Sequence, residues 1–475
     1  MIRRRVLLGV LLAVLFTLGW WAGRGRATSG FYSNVDLFVE VLYAVQSNYV
    51  DEPDPARLVQ GGLSGMMRVL DASSEYLDAK DWKIAESESP GDADGSGLFV
   101  GTREGWPVVI APIEGSPAWR AGLAEGDIIT RIDGHSAWGL GPAEIATRLR
   151  GPAGTTVTLS VLRGDAPHDR DLVLTRGTVQ LPAVRGTLVL DGGVGYLRLT
   201  TFNSRASAQV RAALDTLRRA GARSLVLDLR GNPGGLPEQA LGVAGSFLPA
   251  GSELAATRGR RAGADGRLVV PRGGTRVTWP MAVLVDGGTA SVAEILAGSL
   301  QDLDRALLVG TSTFGSGDVQ SLIPLRGGEG GVRLTTARYL TPSGRVVSRA
   351  ASGTGDDEEA EDDPTLAAAD TAAADSAARP EYRTASGRTV RGGGGIAPDL
   401  EAHADSLPPV AGAAAVRAAL SRDAAFLRAA EVLRRAKGPA DVFAFAKLPG
   451  PPATPPAATP RRASPPATRP GAGSR

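Results

Sequence analysis

The sequence contains no cysteine, and it has few histidines and lysines for a chain of 475 residues. The lack of cysteine excludes disulfides, thiol nucleophiles and thiolate metal sites. The histidines are His135, His168 and His403, and none of them forms the paired motif of a metallopeptidase. We therefore predict neither a metal nor another cofactor. No lysine occurs between residues 84 and 436, and the four present are Lys80, Lys83, Lys437 and Lys447.

Charge and length limit the classes of function further. The formal net charge is only +2, so no basic surplus indicates a nucleic-acid partner. The length is sufficient for two or more domains, each with its own packed core.

The N-terminus has the pattern of an export segment. Arg3-Arg4-Arg5 precedes an apolar stretch over residues 6–23, and two further arginines follow. Such a stretch is just long enough to span a bilayer core of about 30 Å, and the leading arginines favour a cytoplasmic N-terminus. We predict that residues 1–26 form an uncleaved signal anchor in the inner membrane, with the body in the periplasm. A cleaved signal peptide is the alternative.

Glycine motifs recur at turn positions after a helical segment that is predicted over residues 30–90. They include Ser96–Gly101, Gly115–Ala118 and Ile132–Gly134. The region 95–177 resembles a PDZ domain of the bacterial protease type. Such domains bind C-terminal peptides by adding a strand to a sheet edge. The resemblance implies that the peptide carboxylate is held by the loop of Gly97, Leu98, Phe99 and Val100.

The next region alternates strands and helices. Residues 194–199 read as a strand, 207–219 as an amphipathic helix, and 224–229 as a strand buried on both faces. This order predicts a βαβ unit. The loop Gly231–Gly235 follows the second strand, at the sheet edge where open α/β folds place their sites.

The stretch Pro280–Leu325 is the centre of this region. Met281–Asp286 reads as a buried strand, and a glycine turn leads into an amphipathic helix from Ser291 to Leu303. A serine on a strand-to-helix turn exposes its hydroxyl near the positive end of a helix dipole, which suits a nucleophile. The same residue could instead simply cap its helix.

Five motifs occur together in a characteristic order: Leu225–Gly235, Gly288–Ile295, Thr313–Gln320, Leu334–Arg345 and Gly395–Asp399. In this order they resemble the carboxyl-terminal processing peptidases, or tail-specific proteases, which use a Ser/Lys dyad. The resemblance implies a multidomain α+β protein, with a membrane anchor, a helical segment, a PDZ domain and a ClpP/crotonase-like α/β core over residues 181–402. It also implies activity on unfolded or C-terminal polypeptide tails.

The resemblance implies roles for individual residues. Ser291 is the nucleophile, and Gln320 matches the glutamine that orients the lysine. The N–H of Val292, together with that of Gly234 or Gly235, would bind the oxyanion; the sequence does not decide between the two glycines. Ser316 occupies the position of the lysine, and its hydroxyl is no better a base than the one it would activate.

Four residues are substitute candidates for the missing base. Asp318 would share a strand face with Ser316 and Gln320 by the two-residue period. The others are His403, Lys437 and Lys447. The sequence therefore leaves two hypotheses: an endopeptidase that uses Ser291, and an inactive homologue that binds peptides or regulates an active partner. A homo-oligomer is compatible with both.

Composition changes beyond residue 349. Residues 350–390 are rich in alanine and acids, which predicts a disordered insertion. Residues 408–447 predict a helical segment, and the proline-rich residues 448–475 predict a disordered tail.

Overall fold

The computed structural model describes residues 34–71, 73–87, 96–113, 115–164, 166, 168–177, 182–261, 263–272, 276–327, 330–349, 380–403 and 413–446. The predicted membrane anchor, residues 1–26, lies outside these ranges, as does the predicted tail. Among the helices within them, none has the length and apolar character needed to cross a bilayer.

Residues 34–70 form one unit of two helices. Helix α1 covers residues 34–48 and helix α2 covers Pro55–Arg68. The α2 helix begins at Pro55 because the Asp54 side chain accepts a hydrogen bond from Ala56 N–H at 2.9 Å, and proline suits the first helical turn. The Phe38 ring lies against Gly62, where a Cβ atom would be 2.8 Å from the ring.

The second unit begins at Asp71. Its first elements are strand β1 (Glu75–Asp78) and helix α3 (Ala79–Ser87). Strand β1 pairs with a long strand of the core, at residues 330–333. The Thr147 hydroxyl, which belongs to the next domain, donates a 3.0 Å hydrogen bond to Asp81 of α3.

The region predicted to resemble a PDZ domain is a six-stranded antiparallel sheet with two helices. Its elements are β2 (Leu98–Arg103), β3 (Trp106–Pro112), α4 (Pro117–Arg120), β4 (Ile128–Ile132), β5 (His135–Ser136), α5 (Pro142–Leu149), β6 (Thr156–Leu162) and β7 (Arg170–Thr175). The strand order is β2-β3-β4-β6-β7, with β5 on β4. Alternate strand residues such as Val109, Ile129 and Leu159 point into one core with Ile145 of α5.

The core contains two large sheets and a two-stranded hairpin. Its elements are β8 (Val184–Leu190), β9 (Val194–Leu199), α6 (Ala206–Arg219), β10 (Ser224–Asp228), α7 (Pro237–Ala244), β11 (Glu253–Arg258), β12 (Gly266–Val269), β13 (Met281–Val285), α8 (Val292–Asp302), β14 (Leu307–Gly310), β15 (Asp318–Pro324), β16 (Gly330–Leu340), β17 (Glu381–Arg383), β18 (Thr389–Arg391), β19 (Leu400–Glu401), α9 (Ala413–Leu420), α10 (Ala424–Arg435) and α11 (Asp441–Phe445).

The central sheet has the order β19-β14-β13-β10-β9-β8, and all its pairs are parallel except β8 with β9. Its two faces are both covered. Leu225 and Val283 face the cluster that contains α6, α7 and α8, whereas Val226 and Leu284 face α9, α10 and α11. Burial on both faces explains why β10 and β13 are almost wholly apolar.

The second sheet runs β1-β16-β11-β12, with β15 paired to β16. Buried ion pairs hold the C-terminal half to the end of α8 and the turn that follows it: Arg345 pairs with Asp302 at 2.5 Å, and Arg388 pairs with Asp304 at 2.8 Å. Residues 381–391 form the hairpin β17–β18, although they fall within the predicted disordered insertion. The buried Arg388 anchors this hairpin to the core through Asp304, which is distant in sequence.

Candidate functional site

Ser291 lies on a strained turn between β13 and α8. Its backbone has φ 55° and ψ −127°, a conformation that non-glycine residues rarely adopt. Such strain is typical of functional turns, where the surrounding structure over-determines the conformation. Ser291 is half-buried and stands at the first turn of α8, as the sequence predicts.

The glycine loop after β10 lies directly beside Ser291. A Cβ atom on Gly234 would be 2.8 Å from the Ser291 Cβ and 3.2 Å from its Oγ, so only glycine fits there without displacement. The Gly234 N–H donates to Asn232 Oδ1 at 2.9 Å. Among the described residues, none accepts a hydrogen bond from the Gly235 N–H. Of the two glycine N–H groups, that of Gly234 is thus already bonded within its own loop.

The buried carboxylate of Glu294 links the Ser291 turn to the loop that carries Ser316. Its Oε2 accepts from Ser291 N–H at 3.0 Å and from Ser316 N–H at 2.8 Å. Its Oε1 accepts from Gly315 N–H at 2.7 Å and from the Thr313 hydroxyl at 2.5 Å. Because two backbone amides meet at one oxygen, the predicted nucleophile and the predicted base position are neighbours.

Glu294 and Thr313 were not predicted as site residues. Thr313 is buried, and its Oγ1 also accepts from Ile396 N–H at 2.7 Å, so it joins the Ser316 loop to the Gly395–Asp399 motif. Ser291 and Glu294 have the spacing of a capping box, which is a signal in the sequence. Thr313 has no comparable local signal, because its partner is 19 residues away.

The pKa of Glu294 is raised well above the usual value of a glutamate. Burial raises its pKa from 4.5 to about 7, against the lowering effect of the four hydrogen bonds. Because the folded state holds a proton that the unfolded chain releases from about pH 4.5, its contribution to stability is lost as pH rises through 7.

We expect Glu294→Gln to abolish this pH dependence. Between pH 5 and pH 8 the wild-type free energy of unfolding should fall relative to the variant, by at most about 1.4 kcal/mol per pH unit. The variant should be less stable by about 1–3 kcal/mol, since an amide offers one acceptor oxygen to four donors. Urea unfolding at several pH values measures both, and parallel pH profiles would contradict the prediction.

The residues predicted around the base position are not all brought to the site. Gln320 is exposed and donates to Thr335 at 2.7 Å. Asp318 accepts from the Ser348 hydroxyl at 2.6 Å. The predicted shared face of Ser316, Asp318 and Gln320 is wrong, because Ser316 precedes β15 and the strand register shifts between Val319 and Gln320.

The described lysines and His403 lie elsewhere on the molecule. Lys80 and Lys83 are exposed on α3. Lys437 is exposed after α10, which packs on the opposite face of the central sheet from α8. His403 is exposed beyond β19. Lys447 lies outside the described residues. The part of the chain that the structure describes thus contains no lysine beside Ser291.

The predicted peptide-binding loop lies at the edge of its sheet. Gly97 has φ 70°, and its carbonyl accepts from Ile113 N–H at 2.8 Å. Leu98, Phe99 and Val100 begin β2, which is the terminal strand of the sheet. Helix α5 packs beside β2. An edge strand next to a helix is the arrangement to which PDZ domains add a peptide strand.

Fold and site together define a class of protein: an α/β core built around a serine on a strand-to-helix turn, joined to a small antiparallel domain. The peptidase family S41 model matches residues 193–359, and the PDZ domain model matches residues 108–163.

Relatives extend the match over most of the chain. A carboxy-terminal-processing protease of Bartonella bacilliformis is 38% identical over 320 residues, which are 66% of this chain and 73% of that protein. The carboxy-terminal processing protease CtpA of Bacillus subtilis is 32% identical over 328 residues, or 69% of each chain. This chain belongs to peptidase family S41, with the carboxy-terminal processing proteases, as its motifs predict.

A solved structure of a C-terminal processing protease has a similar fold. The photosystem II D1 C-terminal processing protease superposes with a TM-score of 0.58 at 27% identity, covering 79% of this chain and 94% of that one. The predicted combination of a PDZ domain with a peptidase core is confirmed.

Proposed function

We propose that this chain is a serine-type endopeptidase homologue that acts on C-terminal regions of proteins captured by its PDZ domain, with Ser291 as nucleophile. The observation that carries the proposal is the Glu294 carboxylate, which holds the strained Ser291 turn against the 313–316 loop. A site kept for packing alone would not need a serine at φ 55°.

The remaining parts of an acyl-transfer site support the same reaction. Attack by Ser291 Oγ on a peptide carbonyl places negative charge on the carbonyl oxygen, and backbone N–H groups stabilise it. Val292 N–H, at the first turn of α8, and Gly235 N–H are the donors that we propose. The Ser291 proton must pass to a base, and Ser316 does not supply one. We therefore propose that turnover is slow.

An inactive peptide-binding protein is the second candidate function. The observation that favours it is the lack of a lysine near Ser291 in the described ranges, together with Ser316 at the dyad position. In this form the PDZ edge strand β2 would bind polypeptide tails, and the chain would hold them or regulate an active homologue, as a homo-oligomer or in a mixed assembly.

We propose an export pathway for both candidates. The basic N-terminus and the apolar residues 6–23 support an anchor in the cytoplasmic membrane, with the PDZ domain and core in the periplasm. Substrates would then be exported polypeptides.

The test compares the native full chain with Ser291→Ala on an unfolded model protein. Slow cutting by the native chain that the substitution abolishes supports the endopeptidase. Tail peptides that bind both chains equally, without cutting by either, support the binding protein. Cutting that persists in Ser291→Ala would overturn the assignment of the nucleophile.

A further inference from the structure

The Asp286 carboxylate joins the two loops that flank Ser291. Its Oδ1 accepts from Gly231 N–H of the glycine loop at 2.9 Å and from Gly288 N–H of the serine turn at 3.1 Å. Asp286 therefore holds the backbone that leads into Ser291. The nearby Arg230 forms ion pairs with Asp228 at 2.6 Å and with Asp423 at 2.7 Å.

A second carboxyl group reaches this turn from the PDZ domain. Glu125 belongs to an exposed turn, but its carboxyl oxygens lie against the backbone of Gly287 and Gly288. A Cβ atom on Gly287 would be 2.3 Å from Glu125 Oε1, and one on Gly288 would be 2.9 Å from Oε2. The carboxyl groups of Glu125 and Asp286 therefore face the same turn, because Gly288, whose N–H donates to Asp286 Oδ1, is also the residue that Glu125 Oε2 approaches.

The PDZ domain also contacts the other loop of the site. The Phe314 ring lies against Gly101 and packs on the cluster that contains Trp106 and Val108, and the Arg103 guanidinium stands 5.3 Å from the ring centre. Phe314 N–H donates to Thr289 O at 3.0 Å, which ties this contact to the serine turn. The PDZ domain thus rests on both loops that bear the predicted nucleophile and base positions.

Two carboxyl groups that face the same turn repel each other when both are ionised, so protonation of one of them is favoured. The charged groups that act on the pair are Arg103, next to Glu125, and Arg230 and Asp228, next to Asp286. Arg103 is itself influenced by Glu104 and Arg349. Burial and the charge of Asp286 raise the pKa of Glu125 to about 9. Burial likewise raises the pKa of Asp286.

We propose that Glu125 is a positioning residue that docks the PDZ domain on the serine turn through a proton shared with Asp286, so that docking weakens as pH rises. The proposal is independent of whether Ser291 cleaves peptides. It makes the interface between PDZ domain and core responsive to protonation, without a histidine. The link is to a single proton, so the docking equilibrium constant should fall by up to about tenfold per pH unit below pH 9.

Hydrogen exchange of the full chain between pH 6 and pH 10 tests the proposal, after correction for the intrinsic pH dependence of exchange. In the wild type, the opening equilibrium of residues 287–290 should rise on the order of tenfold or more across this range. Glu125→Gln removes the titrating proton of Glu125 and keeps a polar side chain of the same size, so the opening of this segment should depend on pH much less than in the wild type. Glu125→Ala should open this segment at every pH.

Glu144→Gln is the matched control, because Glu144 is a PDZ-domain glutamate that forms a 2.7 Å ion pair with Arg148 of its own helix. This variant should behave as the wild type does. The proposal fails if Glu125→Gln follows the wild-type pH profile, or if Glu125→Ala leaves exchange of residues 287–290 unchanged. Because the readout is exchange rather than cleavage, an inactive enzyme would not affect the result.

Discussion

Ser316→Lys should convert this chain into an efficient peptidase. Removing the base of a hydrolytic triad costs up to about 10⁶ in turnover, so restoring one should raise cleavage on the order of 10³-fold or more. Position 316 is half-buried and its amide shares Glu294 Oε2 with Ser291. A lysine there would be partly desolvated, which lowers its pKa and leaves a neutral amine as base. Cleavage of an unfolded protein measures the gain.

Two controls make the gain specific. Ser316→Arg adds a similar charge that stays protonated, so it should not raise cleavage. The double variant Ser291→Ala, Ser316→Lys should be inactive. If Ser316→Lys folds and still cuts no faster than the native chain, the residue at position 316 does not limit the rate of cleavage.

Asp302→Ala should cost about 3–5 kcal/mol of folding free energy, because it leaves the Arg345 guanidinium buried without its carboxylate. The Arg345 side chain is 0% exposed and the Asp302 side chain 1% exposed. Asp302 also accepts from Ser343 N–H at 2.9 Å, so the turn before Arg345 loses an anchor. Urea unfolding of the native chain and the variant gives the difference.

An exposed ion pair provides the contrast. Arg218 and Asp215 form a 2.7 Å pair on the surface of α6, and Asp215→Ala should cost less than about 1 kcal/mol. The double variant Asp302→Ala, Arg345→Met should recover part of the loss, since it removes the uncompensated charge. A loss below about 1 kcal/mol for Asp302→Ala would show that water or Asp399 compensates Arg345.

The elements around Ser291 were predictable because their signals are local. The apolar run Met281–Asp286 became β13, and the helix predicted over residues 291–303 became Val292–Asp302. The strand predicted over 224–229 became β10. In each case a continuous apolar run or a helical period lay next to a glycine turn, and packing on both faces agreed with the local preference.

Contacts between distant residues were not predictable from one sequence. Asp318 and Gln320 follow a strand period that the pairing with β16 interrupts, and that irregularity depends on the partner strand. Whether the Gly234 N–H is bonded within its loop depends on where Asn232 Oδ1 points. Glu125 meets Asp286 only because two domains pack together. Such contacts leave no periodic pattern in the chain.

Glu294 binds the Ser316 loop through main-chain N–H groups and the Thr313 hydroxyl. The side chain at position 316 takes no part in these hydrogen bonds. The fold therefore places little demand on that side chain. One amino-acid substitution here could remove the catalytic base while the framework remained intact, and the reverse substitution could restore it. Activity in this chain would then be an evolutionarily reversible property carried by one residue.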